Sequence, residues 1–172
     1  MANALATLEL SRARRRQGEV GPASLLIDEA LQLFAQIGDV HLYSYALDAR
    51  AEVSLASGRA EEALQEANAA HERAVASRDA FLTARARRTR GRALFALGRL
   101  DEAEDEVRRA IEEFSAIDRP LSVAFSYQVL AGVLKAKGES VGAKEALQLE
   151  RVALRQAHSK AGDPEHRTPD PA

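Results

Sequence analysis

Four glycines, Gly18, Gly58, Gly98 and Gly138, stand 40 residues apart, and this spacing restricts the fold more than any other feature of the chain. Five residues beyond each glycine is an alanine: Ala23, Ala63, Ala103 and Ala143. Seven further on are Ala30, Ala70 and Ala110, and then Glu150, which breaks the series. A fixed period in this range is the signature of stacked repeats, each packed only on its neighbours. Residues 96–110, ALGRLDEAEDEVRRA, show the unit: a helix end, a glycine turn, and the start of a second helix.

Apolar residues between the turns follow a helical rhythm. Ala23, Leu26, Ile27, Ala30, Leu31 and Phe34 keep the i, i+3, i+4, i+7, i+8 spacing of an amphipathic helix. The pattern predicts helices over about 3–17, from the turn at Pro22 to Gly38, then 42–57, 60–77, 80–97, 100–117, 121–137 and 141–158. Arg14, Arg15 and Arg16 suit the negative end of the first helix, and Asp101 and Glu102 suit the positive end of the sixth. No strand alternation appears. The last stretch, 159–172 (SKAGDPEHRTPDPA), holds three prolines and no apolar residue beyond alanine, so a disordered tail is expected there.

Composition excludes several functions. Without cysteine there is no disulfide framework and no thiolate metal site. A net charge of −2 gives no global field for nucleic acid. The four histidines, His41, His71, His158 and His166, are scattered, and no HExxH, GxxxxGK[ST] or strand-borne GxGxxG occurs. The carboxylate pairs Glu61-Glu62 and Glu112-Glu113 read as solvated helix faces. The expectation is a non-enzyme with no cofactor and no metal. The N-terminus shows no secretory pattern, and no run reaches the roughly 18 apolar residues of a membrane span. These features point to a soluble cytoplasmic protein.

The small residues carry a family resemblance. Aligned on the glycines, Ser11, Ala51, Gly91 and Ala131 fall late in the first helix of each pair. With the glycine and the two alanines that follow, this resembles the tetratricopeptide repeat motif, over about residues 3–158. The shared reason is physical: helices cross closely only where side chains are small. The period of 40 rather than the usual 34 is similar to the long variants in bacterial transcription activators and kinesin light chains. Armadillo and HEAT repeats share the length but fit the glycine–alanine spacing less well. The resemblance implies an all-α, right-handed solenoid of four helix-turn-helix repeats (about 3–38, 39–78, 79–118 and 119–158). The fourth is degenerate, with Glu150, Arg151 and Arg155 giving its last helix the polar face of a terminal repeat.

The resemblance also implies a concave side lined by the first helix of each pair. Three rows would cross it: Leu5, Tyr45, Arg85 and Phe125; Leu8, Asp48, Arg88 and Gln128; and Arg12, Glu52, Arg92 and Gly132. Arg85, Arg88 and Arg92 keep an i, i+3, i+7 spacing and share one helix face. Tyr45, Asp48, Glu52, Arg85, Arg88, Arg92, Phe125 and Gln128 are therefore the candidate partner-binding residues. The partner expected is an acidic protein or peptide segment, with nucleic acid and membrane disfavoured. The same rows also admit a plain reading, in which Asp48 and Glu52 make inter-repeat ion pairs with the arginines. Two functions stay open: an interaction scaffold, or the sensor arm of a larger bacterial signalling or transcription regulator.

Overall fold

A computed structural model describes residues 1–162 of the chain. Among them are eight helices: α1 (Ala2–Arg16), α2 (Val20–Ile37), α3 (Val40–Ala56), α4 (Ala60–Ala76), α5 (Ala80–Ala96), α6 (Leu100–Ala116), α7 (Pro120–Ala136) and α8 (Ser140–Gly162). Their ends match the apolar rhythm closely except at the last. There α8 continues to Gly162, so residues 159–162 are helical, where the sequence predicts the start of a tail. The remainder of that predicted tail, 163–172, lies outside the described residues.

The turns explain the regularity. The backbone enters the left-handed region at Gly18, Gly58, Gly98 and Gly138, as expected, and also at Gly38, Arg78 and Asp118. The true step is thus 20 residues, and each step is one helix and one turn. Around Arg78 the pattern is a Schellman motif, the Arg78 N–H donating to the Val75 carbonyl and the Asp79 N–H to Ala74. The same pair of bonds closes α6, with Asp118 and Arg119 as donors. The breaks are predicted from the sequence, but their left-handed conformation is not, because a side chain occupies the position that glycine usually fills. Asp39 and Asp79 follow two of them as N-caps, accepting from the Leu42 and Leu82 N–H groups at 2.9 Å.

Packing follows the small residues. Ala23, Ala63, Ala103, Ala30, Ala70 and Ala110 are fully buried, as is Ser11, whose hydroxyl donates to the Ala23 carbonyl at 2.8 Å. Gly91 is the tightest point. A Cβ there would lie 2.5 Å from Val107 Cγ2 and 3.3 Å from the Ala103 carbonyl oxygen. Each helix packs against its neighbours in sequence. The odd-numbered helices also touch one another directly, while no two even-numbered helices meet among the described residues. The odd helices therefore form the inner layer of a curved array, and the even helices the outer one.

The outer contact between the second and third repeats is polar. His71 of α4 takes the place of Leu31 and Ile111 in the adjacent repeats and faces Arg87 and Arg90 of α5. Arg87 reaches Glu113 at 3.0 Å and Glu106 at 3.4 Å, and Arg90 reaches Glu106 at 3.5 Å. Burial, then the charges of Arg87 and Arg90, outweigh Glu72 and push the His71 imidazole from 6.5 down to about 4.

Two outcomes follow. Ala103→Leu overpacks the α5–α6 crossing and should cost roughly 1–3 kcal/mol, read as a lowered thermal midpoint; an unchanged midpoint would disprove the register. His71 gives a pH dependence. An unfolded chain protonates its histidine below about pH 6.5, whereas the fold resists until about 4, so stability falls as pH drops through that window. Between pH 7.5 and 5.0 this should amount to about 1–2 kcal/mol, and His71→Leu should remove that part of the acid sensitivity.

Candidate functional site: the inner face of the odd-numbered helices

Because α1, α3, α5 and α7 repeat in phase, side chains 40 residues apart lie on neighbouring helices at similar heights. Long polar groups from three of them join into a ladder across the inner face. Arg12 of α1 donates to the Tyr45 hydroxyl of α3, with its guanidinium carbon 5.2 Å from the ring centroid. Arg85 of α5 also stacks, 4.2 Å from the same centroid, and donates through Nε to Asp48 Oδ2. Tyr45 is thus held between two cations, an attraction that strengthens with desolvation.

Asp48 and Arg85 are 2% and 8% exposed, so this ion pair is internal. Burial works against the charged guanidinium, yet Asp48 and Tyr45 more than offset it and hold Arg85 above its ordinary value. A second rung lies about one turn further along. Glu52 accepts from Arg92 Nη1 and lies 3.5 Å from Arg15 Nη1. Burial disfavours the Glu52 carboxylate, but Arg92 by charge and hydrogen bond, with Arg15 and Arg88, holds its pKa below 4.5.

The sequence-predicted residues separate into distinct environments. Asp48 and Arg85 form the buried pair, and Glu52 and Arg92 form the second rung. Tyr45 is half-buried between its cations. Arg88 turns toward the following repeat, its guanidinium 5.3 Å from the Phe114 ring and Nη1 3.5 Å from the Ser122 carbonyl oxygen. Phe125 is 48% exposed and Gln128 is exposed, both on α7. Two pairings depart from the rows. Asp48 takes Arg85 rather than Arg88, and Glu52 takes Arg15 rather than Arg12 alongside Arg92, because an arginine spans about one helical turn and settles on the nearest carboxylate. Arg14 and Arg87 lie off these rows and reach Glu19 at 2.6 Å and Glu113 at 3.0 Å.

The rows had a continuation that the sequence reading left out. Adding three to the third row gives Arg15, Leu55, Phe95 and Lys135, still on the same helix face. Arg15, Leu55 and Phe95 line a cleft of about 390 Å³ that also touches Glu52, Arg92 and Gly132. It spans all four inner helices. Among the described residues, no group of three His, Asp or Glu side chains is placed to hold a metal ion. No helix there is long and apolar enough to cross a membrane.

No family model and no curated protein matches the chain. Solved structures do resemble it. A Rap protein crystallised with competence and sporulation factor superposes with a TM-score of 0.84 at 16% identity, over 91% of this chain and 44% of that one. A kinesin light chain from Podosopora anserina with TPR-like repeats gives 0.70 at 19% identity, over 95% and 80%. The Sgt2 TPR domain from Aspergillus fumigatus gives 0.52 at 20% identity, over 100% and 92%. The chain spans less than half the length of the Rap protein that it matches. Its fold is a solenoid of helical repeats, similar to the TPR-like folds of the last two of these structures.

The buried pair yields a sharp expectation. Asp48→Ala strands a buried guanidinium and should cost about 3–5 kcal/mol in urea unfolding. Combining Asp48→Leu with Arg85→Met should recover most of that loss. A single-variant cost under about 1 kcal/mol would mean that the pair is solvated.

Proposed function

We propose that the chain is a protein-interaction module whose inner face receives an acidic protein segment or peptide. The observation that carries this reading is the charge balance of that face. On α1, α3 and α5, Arg12, Arg15, Arg85, Arg88 and Arg92 are set against Glu9, Asp48 and Glu52, which leaves an excess of two positive charges on these three helices. The overall charge of the chain is −2, so the excess is local. Carboxylates oriented on guanidiniums bind with direction as well as attraction. Phe125 supplies an exposed apolar contact on α7, and the edge of Tyr45 a second on α3. Asp48 and Arg85 serve from behind, holding Tyr45 in place. A Rap protein of similar fold was crystallised in complex with competence and sporulation factor, which supports a binding role for such an array.

A second reading is favoured by one comparison. The match to less than half of a Rap chain supports a regulatory arm within a larger bacterial signalling or transcription protein. In that arrangement the same face binds the signal and an attached region carries the output. A cytoplasmic location is part of either reading.

The test is titration of a partner isolated from native extract and then purified, against wild type, Phe125→Ala, Arg88→Ala and Tyr45→Ala. Binding should weaken with salt, and loss of a desolvated anchor should cost about 2 kcal/mol or more, with helicity unchanged. Equal affinity in all three variants would remove the inner face from consideration and direct attention to the outer helices.

A further inference from the structure

The cleft at the second rung is more specific than the face around it. Its rim holds two guanidiniums, Arg15 and Arg92, and one carboxylate, Glu52. The Arg92 side chain is 35% exposed and that of Arg15 is 23% exposed, so both remain open to a guest. The two oxygens of Glu52 are too few for the ten N–H donors of two guanidiniums. The local charge is therefore +1, and one added carboxylate would neutralise it. Burial, with Arg92, Arg16 and Arg12 nearby, outweighs the attraction of Glu52 and lowers Arg15, as expected where negative charge is in short supply.

Beside this rim the cleft is apolar. Leu55, Phe95 and Val129 are half-buried and line it. Gly132 occupies the register position of Arg12, Glu52 and Arg92, and its lack of a side chain leaves the Phe95 ring accessible. A Cβ on Gly132 would sit 3.4 Å from Phe95 Cε1, in ordinary contact. The fold does not need a glycine here: its φ is not positive and no backbone approaches the missing Cβ. What the glycine provides is space.

We propose that this cleft is a subsite for a carboxylate carried beside an apolar side chain, the carboxylate seated between Arg15 and Arg92 and the apolar group against Phe95, Val129 and Gly132. The proposal rests on the reading that the inner face binds acidic segments, and it specifies which feature of such a segment is read. A basic guest is repelled by the rim. A neutral apolar guest leaves the positive charge unbalanced, and a small acid without an apolar group leaves the aromatic floor in water. Ion pairing next to an apolar floor is stronger than in bulk water, so the two parts of the guest reinforce each other.

The experiment uses the 172-residue chain and three small probes, 4-phenylbutanoate, 4-phenylbutanamide and acetate, followed by amide chemical-shift titration. The expected result is saturable binding of 4-phenylbutanoate with shifts centred on Phe95, Val129 and Gly132. The amide and acetate should bind at least about tenfold more weakly, the loss expected when a charge-assisted pair or an apolar contact is removed. Gly132→Leu fills the cleft and replaces a helix-interior glycine. It should hold or raise the thermal midpoint while abolishing probe binding. Arg92→Gln, checked for helicity, should weaken 4-phenylbutanoate to the level of the amide. Equal binding of acid and amide, undiminished binding to both variants, or no saturable binding to wild type each overturns the subsite. Failure of the broader reading looks different. It shows as a macromolecular partner indifferent to Phe125→Ala and Arg88→Ala, whereas failure of the subsite alone leaves those effects intact and shows only in the probe titration.

Discussion

Two helices can lie backbone against backbone only where their side chains nearly vanish, and every other feature of this array depends on that contact. At the α5–α6 crossing the allowance is used completely. Gly91 faces Val107 and the Ala103 carbonyl with no room for even one methyl group. Elsewhere serine or alanine suffices, and the Ser11 hydroxyl adds a hydrogen bond to the carbonyl it meets. Close crossings within each pair place the second helix far enough outward that, among the described residues, consecutive outer helices make no close backbone approach, while the inner helices do. The curvature, and with it the existence of an inner face, follows from residue size at a few positions.

On that face, charge does the work that apolar packing does elsewhere. Tyr45 between Arg12 and Arg85, and Glu52 between Arg15 and Arg92, tie three inner helices together. Arginine suits this role because its planar fork can stack on a ring and pair with a carboxylate at once. The internal pair of Asp48 and Arg85 adds little net stability compared with a well-packed apolar pair, but it penalises any register in which either partner is left alone. Cations in excess of carboxylates then remain near the surface, where they define what the face attracts.

Much of this was legible in the chain. Glycine at a helix end and alanine at a crossing are demanded by backbone geometry and sterics, so their spacing reports the fold directly. The breaks at 78–79 and 118–120 were legible, but the left-handed backbone at Arg78 and Asp118 was not, because such a residue with a side chain carries no compositional mark. The caps Asp39 and Asp79 did carry one, an acceptor residue three before Leu42 and Leu82 at the common period. The 40-residue register does bring Tyr45 beside Arg85 and Glu52 beside Arg92, but Leu8 and Asp48 are buried, and the partners of Asp48 and Glu52 depended on how far an arginine reaches, which spacing alone does not fix. The cleft escaped because it needs a fourth row, Arg15, Leu55 and Phe95, together with the missing side chain of Gly132. An absence on one helix becomes a feature only when its neighbours are known.

The even 20-residue step has an evolutionary corollary. Helix, turn and cap recur so uniformly that a gene could lose or duplicate 40 codons without disturbing the backbone. Joining Gly58 to Arg99 would place an arginine and, three residues on, a glutamate at the start of the next helix, just as Arg59 and Glu62 stand now. The side chains are less permissive. The same excision would delete Arg85 and Arg92, leaving Asp48 without its cation and Glu52 with Arg15 alone. The backbone does not count its repeats; the charges on the inner face do.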